Sequence, residues 1–130
     1  AVVAAGSLAP AQAGTPKAFT GSAVFHDATP DPTGGSTAHC NGALPSEKPI
    51  PLKIADPGVV TLALTGFQGD WALAVTDQSG KYIGGADTNP PDTEQAVITL
   101  KKAATILMLP CNLGGTPDAT LTWAYRYKKP

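Results

Sequence analysis

The chain has 130 residues, the length of one domain, with 15% of them charged and a formal charge of −1 from nine basic and ten acidic residues. That balance excludes a strongly electrostatic partner for the domain taken as a whole, nucleic acid and acidic membranes included. No apolar run reaches the roughly 18 residues of a membrane helix, and a chain of this size buries about two-thirds of its unfolded surface, so it folds without a metal or cofactor.

Residues 1–13 read AVVAAGSLAPAQA. An apolar stretch ending in Ala11-Gln12-Ala13 has the form of a secretory signal core with a small-residue cleavage site. Two readings stand for 1–13: a signal-peptide remnant, or an apolar N-terminal arm built on Val2, Val3 and Leu8. Either one points to a secreted, extracellular protein. Residues 14–130 then form a single β-sandwich domain.

From Phe19 onward the hydrophobic period is two. Phe19, Gly21, Ala23 and Phe25 alternate with Thr20, Ser22 and Val24, and Ile50, Leu52 and Ile54 alternate with Pro51 and Lys53. Val60, Leu62 and Leu64 follow the same rule, as do Trp71, Leu73 and Val75 against Ala72, Ala74 and Thr76. Ala96, Ile98 and Leu100 come next, then Leu121, Trp123, Tyr125 and Tyr127. Each pattern predicts a strand buried on one face. The segment 103–109 is apolar on both faces, which predicts a central strand or one near the sheet-to-sheet core. Turns are expected at 56–58, 67–70, 77–80 and 114–117, where Gly, Pro and Asp supply the needed backbone geometry. Lys101-Lys102 reads as a charged hairpin tip, and 27–36 and 84–93 read as longer loops. The fold class is all-β: a sandwich of jelly-roll type with about eight short strands.

The two cysteines, Cys40 and Cys111, favour a disulfide in an exported chain. Two free buried thiols, or a catalytic or metal-bound Cys, are the alternatives. Candidates for nucleophilic chemistry are His26, His39, Ser22, Ser36 and Asp27. His26 and Asp27 are adjacent, so on a strand they point to opposite faces, and no G-x-S-x-G elbow is present. The chain reads as non-enzymatic.

Asp70, Asp77, Asp87, Asp92 and Glu94 fall where loops could converge at one end of a sandwich. Ca²⁺ takes about six to eight oxygens from such loops, whereas Asp in a turn equally caps backbone N–H groups. No cofactor and no metal site is expected, and calcium in the loops carrying Asp70, Asp77 and Asp87 is the alternative. Among the aromatics, Trp71 and Trp123 read as core, and Tyr82 is the candidate for ligand contact.

The segment PGVVTLALTGFQGDWALAVTDQSG at 57–80, the Glu94-Gln95-Ala96-Val97 strand start and AATILMLPCNLGGTPDATLTWAY at 103–125 carry a family likeness. Over about residues 19–127 the chain resembles the bacterial pre-peptidase C-terminal (PPC) domain and its stand-alone secreted relatives. The resemblance implies an exported, non-catalytic jelly-roll sandwich of the kind often attached to secreted hydrolases. It also implies a bridge between Cys40, in Cys40-Asn41-Gly42, and Cys111, in Cys111-Asn112-Leu113-Gly114-Gly115. The chain departs from the family at Asp70-Trp71-Ala72, where a second carboxylate is missing. The expected function is that of a secreted binding or accessory module, its partner an extracellular protein or polysaccharide, with no nucleic acid and no membrane span. The alternative is a structural subunit that polymerises with copies of itself by donating its N-terminal arm to a neighbouring sheet. A small secreted hydrolase is the third reading.

Overall fold

Alternating polarity gives a strand one apolar face, and two sheets laid with those faces together hide both. The computed structural model describes residues 17–26, 49–86 and 93–130. In them the chain forms eight strands and no helix: β1 (Ala18–Phe25), β2 (Ile50–Ile54), β3 (Gly58–Thr65), β4 (Trp71–Asp77), β5 (Tyr82–Ala86), β6 (Glu94–Leu100), β7 (Ala104–Asn112) and β8 (Ala119–Tyr127). They make two four-stranded antiparallel sheets, ordered β1-β8-β3-β6 and β2-β7-β4-β5. Among the described residues no helix is long and apolar enough to cross a membrane.

The predicted alternation sets the core. On β3, Val60 lies between Ile98 and Tyr125, Leu62 between Ala96 and Trp123, and Leu64 between Glu94 and Leu121. The buried apolar residues of these rows pack with Ile54, Trp71, Leu73, Val75, Ile106 and Met108 of the second sheet in one cluster, with Trp123 partly buried against it. The strand expected to be central, β7, does lie inside its sheet, between β2 and β4.

Four features differ from the sequence reading. β4 is buried on both faces, because Ala72 and Ala74 are covered together with their partners Cys111 and Leu109. Residues 101–103 do not close a hairpin: β6 and β7 belong to different sheets, so the Lys101-Lys102 segment arches across the sandwich. Residues 82–86 are edge strand β5, so the loop expected over 84–93 does not begin at Gly84. Their glycines masked the pattern, yet they are there for packing. A β-carbon at Gly84 would lie 2.4 Å from Ile98 Cδ1 of the other sheet, and one at Gly85 would lie 2.3 Å from the Leu73 carbonyl. Finally, Trp71 is fully buried whereas Trp123 is half-buried, lying over Gly21.

Among the described residues only the 78–81 turn joins neighbours in one sheet, while 55–57, 66–70, 101–103 and 113–118 all cross between sheets. Consequently the arches 55–57 and 101–103 share one end of the sandwich with the 78–81 turn, and 66–70 and 113–118 share the other.

Candidate functional site

The loops at the second end are held by side chains that the sequence marks as a motif. Asn112 is fully buried. Its carbonyl oxygen accepts the N–H of Gly114 and Gly115 at 3.2 and 2.7 Å, and its amide donates to the carbonyls of Gly115 and Thr116 at 3.2 and 3.1 Å. The Trp71 indole N–H donates to the Thr116 carbonyl at 2.9 Å. The Gln68 N–H donates to Thr116 Oγ1, and the Thr116 N–H returns to the Gln68 carbonyl. Gly69 and Gly115 meet where neither tolerates a β-carbon: one on Gly69 would lie 2.7 Å from Gly115 Cα, and one on Gly115 would lie 2.7 Å from the Gln68 carbonyl. Phe25 and Phe67 pack on Trp71 with ring centroids 6.4 and 5.8 Å away. The Asn112 side chain is thus engaged in holding the loop.

The candidate acidic residues scatter. Asp77 caps its own turn: Oδ1 accepts Ser79 Oγ–H at 2.6 Å, Ser79 N–H at 2.9 Å and Lys81 N–H at 3.0 Å. The Ser79 hydroxyl first, then the Lys81 N–H, hold this carboxyl below its usual range. Asp70 serves through its backbone carbonyl, which accepts the N–H of Leu113 and Gly114. Glu94 is fully buried opposite Leu64, and Asp87 and Asp92 lie outside the described residues. Among the described residues no three His, Cys, Asp or Glu side chains come together as a metal would need.

The candidate nucleophiles and bases are no more convergent. His26 follows β1 directly, with Nδ1 3.6 Å from Asp118 Oδ1 and both side chains well exposed. Sequence distance hid this pair, which forms because Phe25 registers with Ala119. Ser22 faces outward on β1, and Ser36, His39 and Asp27 lie outside the described residues. Cys111 is fully buried on β7, while its expected partner Cys40 lies outside the described residues. So do Val2, Val3 and Leu8 of the arm, and the 1–13 boundary. Tyr82 is 38% exposed at the start of β5.

At the first end, Tyr125 is buried and stacks on Phe19 with ring centroids 5.0 Å apart. Its hydroxyl donates to the Pro57 carbonyl at 2.9 Å, with the Asp56 carbonyl at 3.3 Å. Burial first, then the Asp56 and Tyr127 charges, push this phenol above its usual value.

Among the described residues, what remains open is the outer face of the β1-β8-β3-β6 sheet. Thr20, Ala124, Thr61 and Val97 stand side by side across it, and Ser22, Thr122, Ala63 and Gln95 form the next row. Short side chains on the central strands leave two adjoining shallow grooves of about 490 and 500 Å³. Both include Thr20, Thr61 and Ala124, and Arg126 closes one of them. Hydroxyls and methyls alternate along these grooves, with no carboxylate in their lining. Such a surface offers contact area with scattered hydroxyl donors and acceptors. A comparison with protein-family models finds no match, and neither does one with curated proteins.

Proposed function

We propose that the chain is a secreted, non-catalytic binding and accessory module whose contact surface is the outer face of the β1-β8-β3-β6 sheet. The observation that carries this reading is the pair of adjoining grooves lined by Thr20, Thr61, Thr122 and Ala124. Thr and Ser hydroxyls with flanking methyls match the mixed polar and apolar faces of an extracellular polysaccharide. The engagement of Asn112, Asp77 and Tyr125 in turns and arches supports a role without catalysis. The test is depletion of the protein from solution by insoluble polysaccharides. Retention that is lost in Thr61→Lys and Thr122→Lys, with the fold intact, supports the reading. Failure to bind any of a panel of cell-wall and plant polymers, or binding indifferent to both substitutions, overturns it.

The jelly-roll form and the kinship with the PPC domain belong to the same proposal. Their support is the repeated crossing of the chain between sheets and the architectural use of the Asn112 and Gly115 motif. The Cys40–Cys111 bridge is proposed with them, and the full burial of Cys111 supports it. Intact mass should rise by about two protons on reduction; two alkylatable thiols in the native protein would remove the bridge.

A second reading is assembly through strand addition. It is favoured by β1, which among the described residues pairs only with β8 and carries Val24, 57% exposed. In that reading Val2, Val3 and Leu8 seat on a neighbour's sheet edge. A chain starting at Gly14 should then be a folded monomer where the full chain is an oligomer. Equal masses in solution dismiss it.

A further inference from the structure

The total charge of −1 conceals a segregation that only the topology reveals. Arg126 registers with Ala18 and Val59, at the start of β1 and β3, and Lys128 donates its N–H to the Pro57 carbonyl. The Lys17 carbonyl accepts the Tyr127 N–H. Gly58 registers with both Tyr127 and Leu100, which brings Lys101 and Lys102 to the same end. A small cavity of about 170 Å³ there is lined by Lys101, Lys128 and Lys129. The second sheet adds Lys53, one residue from the Ile54–Ala104 pair, and Lys81, whose N–H bonds the Asp77 carboxylate beside Ile106.

Every described Lys and Arg therefore lies at this one end, eight of the nine in the chain, and all eight are exposed. The side-chain carboxylates among them are Asp56 and Asp77, the latter engaged by its own turn. Asp70, Glu94 and Asp118 lie at the opposite end, with Leu64, Trp71 and Ala119. Among the described residues no ion pair involves any of the eight basic side chains.

We propose that this end docks on a bilayer of anionic phospholipid. Its charge is complementary to such a surface, and its shape selects a plane over a linear polyanion. The basic groups come from both sheets and several separate segments, so they ring a blunt end instead of lining a trough. The cavity among them is below the roughly 300 Å³ at which ligand pockets begin. Seven of the eight are Lys, which act as point charges, whereas forked recognition of single phosphates favours Arg. Tyr125 is buried and Tyr127 is capped by Lys17 at 4.1 Å, which leaves neither ring open for stacking on a base or sugar. Next to Lys81 stand Tyr82 and Ile83, each 38% exposed, an amphipathic ring and an alkyl group suited to the headgroup layer. This surface is separate from most of the proposed groove, and the inference does not rest on polysaccharide binding.

The test is sedimentation of the full chain with vesicles of phosphatidylcholine alone and of phosphatidylcholine mixed with phosphatidylglycerol. The expected result is binding to the mixed vesicles, at least about tenfold weaker on phosphatidylcholine and lost in about 1 M salt, where charges are screened beyond roughly 3 Å. Each basic group near an anionic surface multiplies partition about fivefold. Lys101→Glu, Lys102→Glu, Lys128→Glu and Lys129→Glu combined should therefore abolish binding, and the matching four Lys→Gln changes should weaken it by at least tenfold should the reversal misfold. Ile83→Ser should weaken it several-fold without changing its salt dependence. No binding to mixed vesicles, equal binding to both kinds, or a folded Lys→Gln variant that binds unchanged would overturn the proposal. Tighter binding of heparin or duplex DNA than of the mixed vesicles would overturn it in favour of a linear polymer.

Discussion

Trp71 and Thr116 are 45 residues apart, yet the indole N–H of one donates to the carbonyl of the other at 2.9 Å. This bond ties the start of β4 to the 113–118 arch, with Asn112 beneath the same carbonyl. Trp71→Phe removes the donor and part of a fully buried ring. The expected loss is about 2–3 kcal/mol, from one hydrogen bond and the space left in the core. Urea unfolding followed by circular dichroism measures it, and a change below about 1 kcal/mol would mean that the arch is held by other groups.

Gly114 and Gly115 are adjacent but not equivalent. A β-carbon on Gly114 meets nothing within 4 Å, whereas one on Gly115 would press on the Gln68 carbonyl and on Trp71 Cδ1, both at 2.7 Å. Gly115→Ala should destabilise the fold by about 1–3 kcal/mol, the range for overpacking. Gly114→Ala should lie within about 0.5 kcal/mol of the parent, as surface changes do. Equal thermal shifts for the two variants would contradict the close approach of the two loops.

Tyr125 makes the stability sensitive to alkali. Its folded phenol is held above the ordinary value by burial, so the unfolded chain ionises first. Its contribution is complete below about pH 10 and falls as the pH rises from there toward the folded value. Tyr125→Phe should cost about 1 kcal/mol at neutral pH through the lost bond to Pro57. The variant should also lose less stability than the parent between neutral and strongly alkaline solution. Urea midpoints at the two pH values give the comparison, and parallel curves would argue that the hydroxyl is open to water.

Asp77 works in the opposite direction. Its folded carboxyl lies below the ordinary range because it accepts from Ser79 and Lys81. The turn it caps is therefore at full strength above about pH 4 and loosens as the pH falls through the depressed folded value. In acid, amide exchange at Ser79 and Lys81 should accelerate beyond that of the β3–β8 ladder, and Asp77→Ala should show the faster exchange already at neutral pH. Uniform protection across that range would separate the carboxylate from the turn.

Much of the fold was legible along the chain. The two-residue period marks six of the eight described strands, because a half-buried strand writes its inside face at every second position, and the apolar run at 103–109 marks a seventh, β7. Trp71 and the buried rows of β3 follow from it. Strand β5 escaped because Gly84 and Gly85 carry no side chain to alternate, and their reason lies in Ile98 and Leu73, brought there by other strands. The Asn112 and Gly115 motif was visible as a pattern, but its role as a loop tie was not, since its partners Gln68 and Trp71 come from the preceding crossing.

By itself, then, the sequence determined strand positions, the apolar face of most strands, and turns at Asp77 and Gly115, all of which depend on neighbours a few residues away. Tertiary structure decided which sheet each strand joins, and with it the second buried face of β4 and the crossing of the 101–103 arch. It also decided where charge collects. Lys17, Lys53, Lys101 and Lys128 are remote in sequence and nearly cancelled in the total, yet antiparallel crossings carry all four to one end. Net charge sums over the chain without regard to place, whereas the field at a surface depends on which charges are near it.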